Sequence, residues 1–468
     1  MSKKSSRQTG VRNLTEGPIF KTLLRLALPL MGTSFLQMAY TLLAMSWVGR
    51  LGTEAHPEIA TKAEAAIGSI GMILWFTSSI GYMAMIGAEV AVGQSIGARK
   101  MRQATAYAST ATTIAVIIGT IWTLTLFILA PQILLYFKLP ADVTADAVLF
   151  LRIACVALPC QFMTYCFSGI YNGSGRSSVP FRNYAAGLIL NMILDPILMF
   201  PLGMGLQGAA VGMAISQLCV FALFFYQIRY GKGILNEFRF FVLPRWAFLR
   251  RIFFLGAPVS VMNGAYAFIN MSLARVASTF GGHLGLMTQT TGGQIEGISW
   301  NTSQGFSTAL SAFVAQNYAA GKPERGQKAY INTLQVLIAY GAIVSLAFVF
   351  FGGIIFGIII PEKEAMEAGA QYLFVMGLVQ IFMMLELTTQ GMFNGIGRTI
   401  EPAAISISCN ALRIPLAWYL ASNMGMGIMG VWWAIAISTV IKGIILPTWF
   451  LFIYRKIIKK AHASETKH

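Results

Sequence analysis

Residues 169–176 read Gly-Ile-Tyr-Asn-Gly-Ser-Gly-Arg, and residues 391–398 read Gly-Met-Phe-Asn-Gly-Ile-Gly-Arg. The two stretches stand 222 residues apart (391 minus 169). Working outward at that offset sets Pro402 on Pro180, Gln316 on Gln94, Lys322 on Lys100, Gly430 on Gly208 and Ala436-Ile-Ser438 on Ala214-Ile-Ser216. Matches this widely spaced fall on several separate segments, so the chain reads as two copies of one unit. Nearer the start of each copy an offset of 229 (258 minus 29) pairs Pro29 with Pro258 and Gly52 with Gly281, which lengthens the first outer loop of the first copy.

The 468 residues are 56% hydrophobic and only 11% charged, too little polar surface to cover a soluble globule of that size. A membrane-spanning helix needs roughly 20 mostly apolar residues. Segments of that length run from Leu24 to Val48, Ala66 to Val92, Ala104 to Leu135 and Ala145 to Ile170, then over 182–201, 206–228, 252–279, 296–316, 329–358, 369–392, 402–421 and 428–454. The expected fold is therefore an all-α integral membrane protein with about twelve transmembrane helices in two pseudo-symmetric six-helix bundles. An even number of spans per copy makes the repeat parallel, with its axis along the membrane normal.

The formal charge of +17 suggests nucleic acid until the basic residues are placed. Of the 34 lysines and arginines, Arg50, Lys62, Lys138 and Lys363 fall on the outer side; Arg152, Arg275, Arg413 and Lys442 lie inside spans; the rest face the cytoplasm if both termini are cytoplasmic. That asymmetry is the positive-inside pattern, so the charge reports topology and the partner is the bilayer rather than nucleic acid. The domains follow: a cytoplasmic segment 1–23, a first bundle 24–228, a linker 229–251, a second bundle 252–454 and a basic tail 455–468. Within the linker, Pro244, Trp246, Phe248 and Leu249 among arginines predict a short interfacial helix. The polar start lacks the pattern of a cleaved signal peptide. Cys155, Cys160, Cys166, Cys219 and Cys409 all fall in apolar segments and read as buried free thiols.

Several motifs in fixed order carry a resemblance to the multidrug and toxic compound extrusion (MATE) transporters, covering essentially the whole chain. They are Thr15-Glu-Gly-Pro-Ile19 leading into Ala27-Leu-Pro29, Val48-Gly-Arg-Leu-Gly52, Gly93-Gln-Ser-Ile-Gly-Ala98 with its repeat Ala315-Gln-Asn-Tyr-Ala-Ala-Gly-Lys322, both Asn-Gly-x-Gly-Arg loops, and Asn191-x-x-x-Asp195-Pro196. The resemblance implies two six-helix bundles, a central cavity open to alternate sides, and export of amphipathic organic compounds driven by inward flow of protons or sodium ions. It also implies a prokaryotic inner membrane as the location.

Asp195 is the leading functional candidate, because a carboxyl in mid-span is costly unless paired, hydrated or neutralised. Asn191, four residues earlier, shares its helix face, and together they offer oxygen ligands to a cation. The resemblance assigns this Asn and Asp to the cation site of the first bundle, binding a proton or a Na+ ion; no other metal or cofactor is expected. The competing reading is a structural Asp shaping the Pro196 bend. Many relatives carry a second Asp in the first helix where this chain has Ala44, and a threonine of some relatives corresponds to Met213, which leaves the coupling ion open.

Glu296 and Glu386 in the second half are candidate cavity carboxylates. Glu89 is expected to pair with a basic residue such as Arg99 or Lys100. Arg413 is expected to neutralise one acid, with Glu386 as the first choice. Gln94 and Gln316 sit beside small residues and read as helix-packing groups. The glycine-rich loops lack the strand and the Lys-Ser/Thr of a phosphate-binding loop, and His56, His283, His462 and His468 show no paired metal spacing. Tyr40, Met262, Tyr266, Trp300, Phe382, Met383 and Met384 are candidate lining residues for a promiscuous cavity, which with its carboxylates suits small cationic amphiphiles.

The expected function is thus a cation-coupled antiporter working by alternating access, as a monomer. The alternative is a flippase for a lipid-linked saccharide, whose diphosphate calls for a more cationic cavity. An enzyme is not expected, since no paired-Asp, His-rich or Ser-Lys signature is present.

Overall fold

The structure is a computed structural model in which residues 11–48, 50–51, 58–135, 140–230 and 242–465 are described. Gly52, His56, Lys138, residues 231–241 of the linker and His468 lie outside them. The described residues form α1 (Ile19–Val48), α2 (Glu58–Gly97), α3 (Met101–Leu135), α4 (Ala141–Cys155), α5 (Leu158–Gly173), α6 (Ser178–Met199) and α7 (Gly205–Tyr230) in the first half. The second half has α8 (Trp246–Ala319), α9 (Pro323–Gly357), α10 (Lys363–Ile396), α11 (Ile400–Trp418), extended by a π-helical turn at Tyr419–Asn423, and α12 (Ile428–Glu465). No strand occurs among the described residues.

The expected spans map onto these helices with two differences of detail. The fourth span is a pair, α4 and α5, bent by 53° where Pro159 opens α5, because proline is tolerated in a first helical turn but not within a helix. The seventh and eighth spans are both inside α8, which breaks at Gly282 with φ 58° and ψ −150°, a conformation essentially restricted to glycine. Eight helices are long and apolar enough to cross a bilayer on their own among the described residues, nine with the bent pair. Of the remaining expected spans, α6 and α11 are less apolar because they carry Asn191 and Asp195, and Asn410 and Arg413. The outward apolar surface fits a lipid solvent: Ile128, Phe350 and Ile354 are exposed, while Asn191, Asp195, Glu89, Glu386, Arg413 and Lys442 are buried.

Two compact units are present, and their division does not follow the linker. The first comprises residues 1–13 and 32–260, the second residues 14–31 and 261–468. The first half of α1 therefore belongs to the second unit, and the first stretch of α8 to the first. The changeovers, after residues 31 and 260, are 229 apart (260 minus 31), the offset that relates Pro29 to Pro258. Leu23, Leu26, Ala27 and Leu30 accordingly pack with Phe306, Leu310 and Phe313, whereas Ile252 and Leu255 pack with Met83, Ala88 and Ile170. The expected interfacial helix is not separate. Trp246 begins α8 itself, and Phe248 meets Tyr107 edge to face, with ring centroids 4.7 Å apart.

Equivalent contacts recur in both units. A Cβ on Gly169 would strike the Met85 carbonyl, and one on Gly391 would strike the Ser307 carbonyl; Gly173 and Gly395 stand in the same way against Glu89 and Ser311. Each partner pair is again 222 apart (307 minus 85, 311 minus 89). Such glycines let helix backbones touch, the usual device for close packing in lipid. Loops repeat as well: Arg176 N donates to Tyr171 O at 2.8 Å and Arg398 N to Phe393 O at 3.0 Å, with Gly175 and Gly397 both left-handed (φ 79° and 84°). At one turn the repeat departs from glycine. Gly321 (φ 72°) corresponds to Arg99 (φ 59°), and a non-glycine residue there costs about 1 kcal/mol. Arg99→Gly is expected to raise the unfolding temperature of the purified protein, whereas Gly321→Arg lowers it; a differential scan of both variants checks the opposite signs.

Candidate functional site

The buried face of α6 is Pro180, Asn183, Gly187, Asn191, Asp195 and Met199, spaced three or four apart as one helical face requires. Its polar members meet α7. Asn183 and Gln227 exchange both amide hydrogen bonds, at 3.1 and 2.8 Å. One turn further, Val220 fills the notch left by Gly187. At the next level Asn191 Nδ2 donates to Asp195 Oδ1 at 2.6 Å, and these side chains are only 2% and 3% exposed. Gly212 on α7 makes that possible: a Cβ there would collide with Asp195 Oδ1 and lie 3.3 Å from Asn191 Nδ2. Tyr40 on α1 is within electrostatic reach of Asp195. The structure thus brings Asn191, Asp195 and Tyr40 together in the first unit. Ala44 contributes no polar atom, and Met213 packs against the apolar cluster around Ala209 and Ala210.

A hydroxyl and amide network nearby was not singled out from sequence. Tyr165 OH meets Ser78 Oγ and accepts from Gln161 Nε2, both at 3.0 Å. Ser168 Oγ donates to Tyr184 OH at 3.2 Å, Gln217 Nε2 donates to Thr164 Oγ1 at 2.9 Å, and the rings of Tyr82 and Tyr165 stand 5.4 Å apart. Tyr184 lies on α6 seven residues before Asn191, two turns along one face. The only sequence signal was that serines, threonines and glutamines recur at helical spacing on three neighbouring apolar segments.

The second unit holds a different constellation, built from four helices. Glu386 on α10 pairs with Lys442 Nζ on α12 at 2.9 Å, with side chains 9% and 6% exposed, and accepts from Ser406 Oγ on α11 at 3.2 Å. This corrects the expected partnership of Arg413 with Glu386. The Arg413 guanidinium instead donates through Nε to Ser438 Oγ at 2.5 Å and through Nη2 to Thr439 Oγ1 at 3.2 Å. Glu296 on α8 accepts from Tyr372 OH at 3.4 Å, is hydrogen-bonded by Gln380 and lies within reach of the charges on Arg413 and Lys442. The buried Glu386, Lys442 and Arg413 and the half-buried Glu296 thus set two acids beside two bases in one cluster, as desolvated charges require.

The remaining candidates are dispersed. Glu89 is fully buried on α2 at the level of Gly173, while Arg99 and Lys100 are exposed at the helix end. Met262 Sδ accepts from Gln390 Nε2 at 3.4 Å, Tyr266 is within electrostatic reach of Tyr372, and Phe382 is where the backbone of α10 meets Gly443. Met383 and Met384 are in the core cluster with Leu387 and Phe393, and Trp300 packs against it. Gln94 and Gln316 hold backbone-end contacts: Arg251 Nη2 donates to Gln94 Oε1 at 2.6 Å and Leu14 N to Gln316 Oε1 at 3.0 Å. Among the described residues no group of three or more His, Cys, Asp or Glu side chains could hold a metal ion, and the five cysteines are free.

A repeated helical frame with ionisable side chains held in its apolar interior defines a multi-pass membrane protein built from an internal repeat. The MatE family model matches residues 29–197 and 258–419, one stretch in each repeat, and the chain belongs to the MatE family. It is 24% identical over 447 residues to the probable multidrug resistance protein NorM of Thermotoga maritima, covering 92% of each chain. It is 21% identical to the FAD transporter of Shewanella oneidensis, covering 92% of this chain and 94% of that one. In fold it is similar to a crystal structure of MATE in the bent conformation, with a TM-score of 0.88, 21% identity and coverage of 96% and 98%.

Because the Asn191–Asp195 pair fits only where Gly212 leaves space, Gly212→Val is expected to force the carboxyl off its amide partner while leaving the apolar faces of α6 and α7 intact. Any cation-dependent stabilisation of the purified protein should then fall at least roughly tenfold in apparent affinity, about 1.4 kcal/mol. Isothermal titration with sodium and with acid reads it, and a variant with unchanged affinity counts against the pair as a cation ligand.

Proposed function

We propose that this chain is a cation-coupled exporter of small amphipathic organic molecules, in which Asn191 and Asp195 hold the coupling ion. The observation that carries the reading is the geometry at α6: a carboxyl and a carboxamide on one helix face, almost wholly desolvated, facing a glycine notch, with Tyr40 within electrostatic reach. A single carboxyl in such surroundings gains most from taking up a cation, a proton or Na+. Asn191 now presents its NH2 to Asp195. Turning the amide over would present its oxygen, so that Asp195, Asn191 and Tyr40 together offer oxygen donors to a Na+ ion; protonation would need only the carboxyl.

Coupling then follows from differential affinity. Cation occupancy at α6 can bias an inward-open against an outward-open state only if the two bind the ion with different strength, and the short link from Asp195 to Pro196 and to Gly212 makes helix geometry sensitive to that occupancy. The multidrug name of the Thermotoga relative supports organic cargo, and the lipid-linked saccharide reading draws no support from the second unit, where Arg413 and Lys442 are balanced by Glu296 and Glu386 rather than left to meet a diphosphate. The inner membrane, both termini cytoplasmic, and a monomer belong to the same proposal.

The test is reconstitution into liposomes with a fluorescent organic cation as reporter, under an imposed proton gradient and separately a sodium gradient. The wild type is expected to move the reporter against its gradient under one of the two, and Asp195→Asn to lose that movement to the level of empty liposomes with its unfolding temperature retained. Full gradient-driven transport by Asp195→Asn would overturn the assignment.

A further inference from the structure

The internal repeat sets the two ionisable sites side by side for comparison. At the offset of 222 the position of Asn191 is taken by Arg413 (413 minus 191), that of Asp195 by Ala417, that of Gly212 by Ala434, and that of Ser216 by Ser438. Where the first unit offers an amide and a carboxyl to a visiting cation, the second has a guanidinium and, in the place of Asp195, the apolar Ala417; the one carboxyl of α11, Glu401, is in its first turn. The second unit's interior carboxylates come from elsewhere, the half-buried Glu296 on α8 and the buried Glu386 on α10, and Glu386 is covered by the Lys442 ammonium at 2.9 Å. Ser406 donates to that carboxylate, and Ser438 and Thr439, one turn before Lys442 on α12, take the guanidinium. Cys409 on α11 is within electrostatic reach of Glu386, Lys442 and Arg413, and Tyr372 on α10 bonds Glu296.

We infer that the second unit carries tethered cations, Lys442 on Glu386 and Arg413 in the place of Asn191, where the first unit binds a free one at Asp195, so that the seat at Glu386 takes no exchangeable cation. Lys442 is a positioning and charge-holding residue, not a ligand of the cargo. The argument is one of charge balance. A desolvated carboxylate must have a counter-charge; when that counter-charge is covalently attached, its effective concentration exceeds that of any dissolved ion, and the seat stays filled through the cycle. The contrast with a free cation in the first unit rests on the reading of Asp195 given above, but the filled seat at Glu386 does not.

Cutting the tether should open the seat. In Lys442→Ala the Glu386 carboxylate keeps Ser406 and gains the space of a lost side chain, so a free cation of suitable size should enter. The measurement is thermal unfolding of the full purified chain at pH 8.5, where carboxyls most readily release protons, in sodium chloride, ethylammonium chloride and choline chloride at equal ionic strength. Lys442→Ala is expected to unfold at least about 3 °C higher in sodium or ethylammonium than in choline, beyond any difference the wild type shows. Lys442→Arg, which keeps a tether, should behave as wild type, and adding Glu386→Gln to Lys442→Ala should abolish the new response. If Lys442→Ala folds only with ethylammonium or sodium present, the inference stands equally. It is overturned if neither ion stabilises Lys442→Ala beyond choline, or if Glu386→Gln alone, with Lys442 in place, removes an ion response of the wild type. None of these readouts involves transport or Asp195, so failure here is distinct from failure of Asp195→Asn to stop export.

Discussion

Helices α2 and α5 touch backbone to backbone where Gly169 and Gly173 meet the carbonyls of Met85 and Glu89, and α8 and α10 do the same at Gly391 and Gly395. In a lipid solvent, where burying apolar side chains against one another gains little over leaving them in acyl chains, such close approach supplies the attraction that holds helices together. The remaining helices in each unit are arranged around these two contacts. They also fix α5 and α10 in depth, and with them Thr164, Gln161, Glu386 and Gln380, the polar groups those helices carry inward.

Given that frame, the placement of polar groups follows a single rule: a group that leaves water must bring its partner along. The first unit satisfies it largely with neutral partners, the exchanged amides of Asn183 and Gln227, the tyrosine hydroxyls with Ser78, Ser168 and Gln161, and the amide of Asn191 for the Asp195 carboxyl. The second satisfies it with full charges in pairs. One scaffold thus supports two different interiors, one with its carboxyl bonded to an amide and one with its carboxylate bonded to an ammonium.

Much of the frame was legible in the chain itself. The offset read from two eight-residue stretches recurs in the glycine contacts, the loop hydrogen bonds and the left-handed glycines, because a duplicated sequence must bury the same faces. Asn191 and Asp195 were legible because a carboxylate amid leucine and isoleucine has few bland explanations. The Lys442–Glu386 pair was not, since 56 residues separate them (442 minus 386) and only the folding of α10 against α12 decides which base an acid meets. Lys442 and Arg413 were equally available from sequence; geometry chose between them. The break at Gly282 and the crossing of α1 and α8 between units were hidden for a related reason, as no local pattern states which neighbours a helix will choose along its length.

That crossing has a consequence for how such a chain arises. A single repeat, standing alone, would have its first half-helix packed against the partner's core and an unfilled place of its own. Two copies would complete one another by exchanging that element, which is domain swapping, and joining the copies end to end would make the exchange permanent. Read this way, each unit draws one half-helix from the other repeat, as two swapped and then fused copies would.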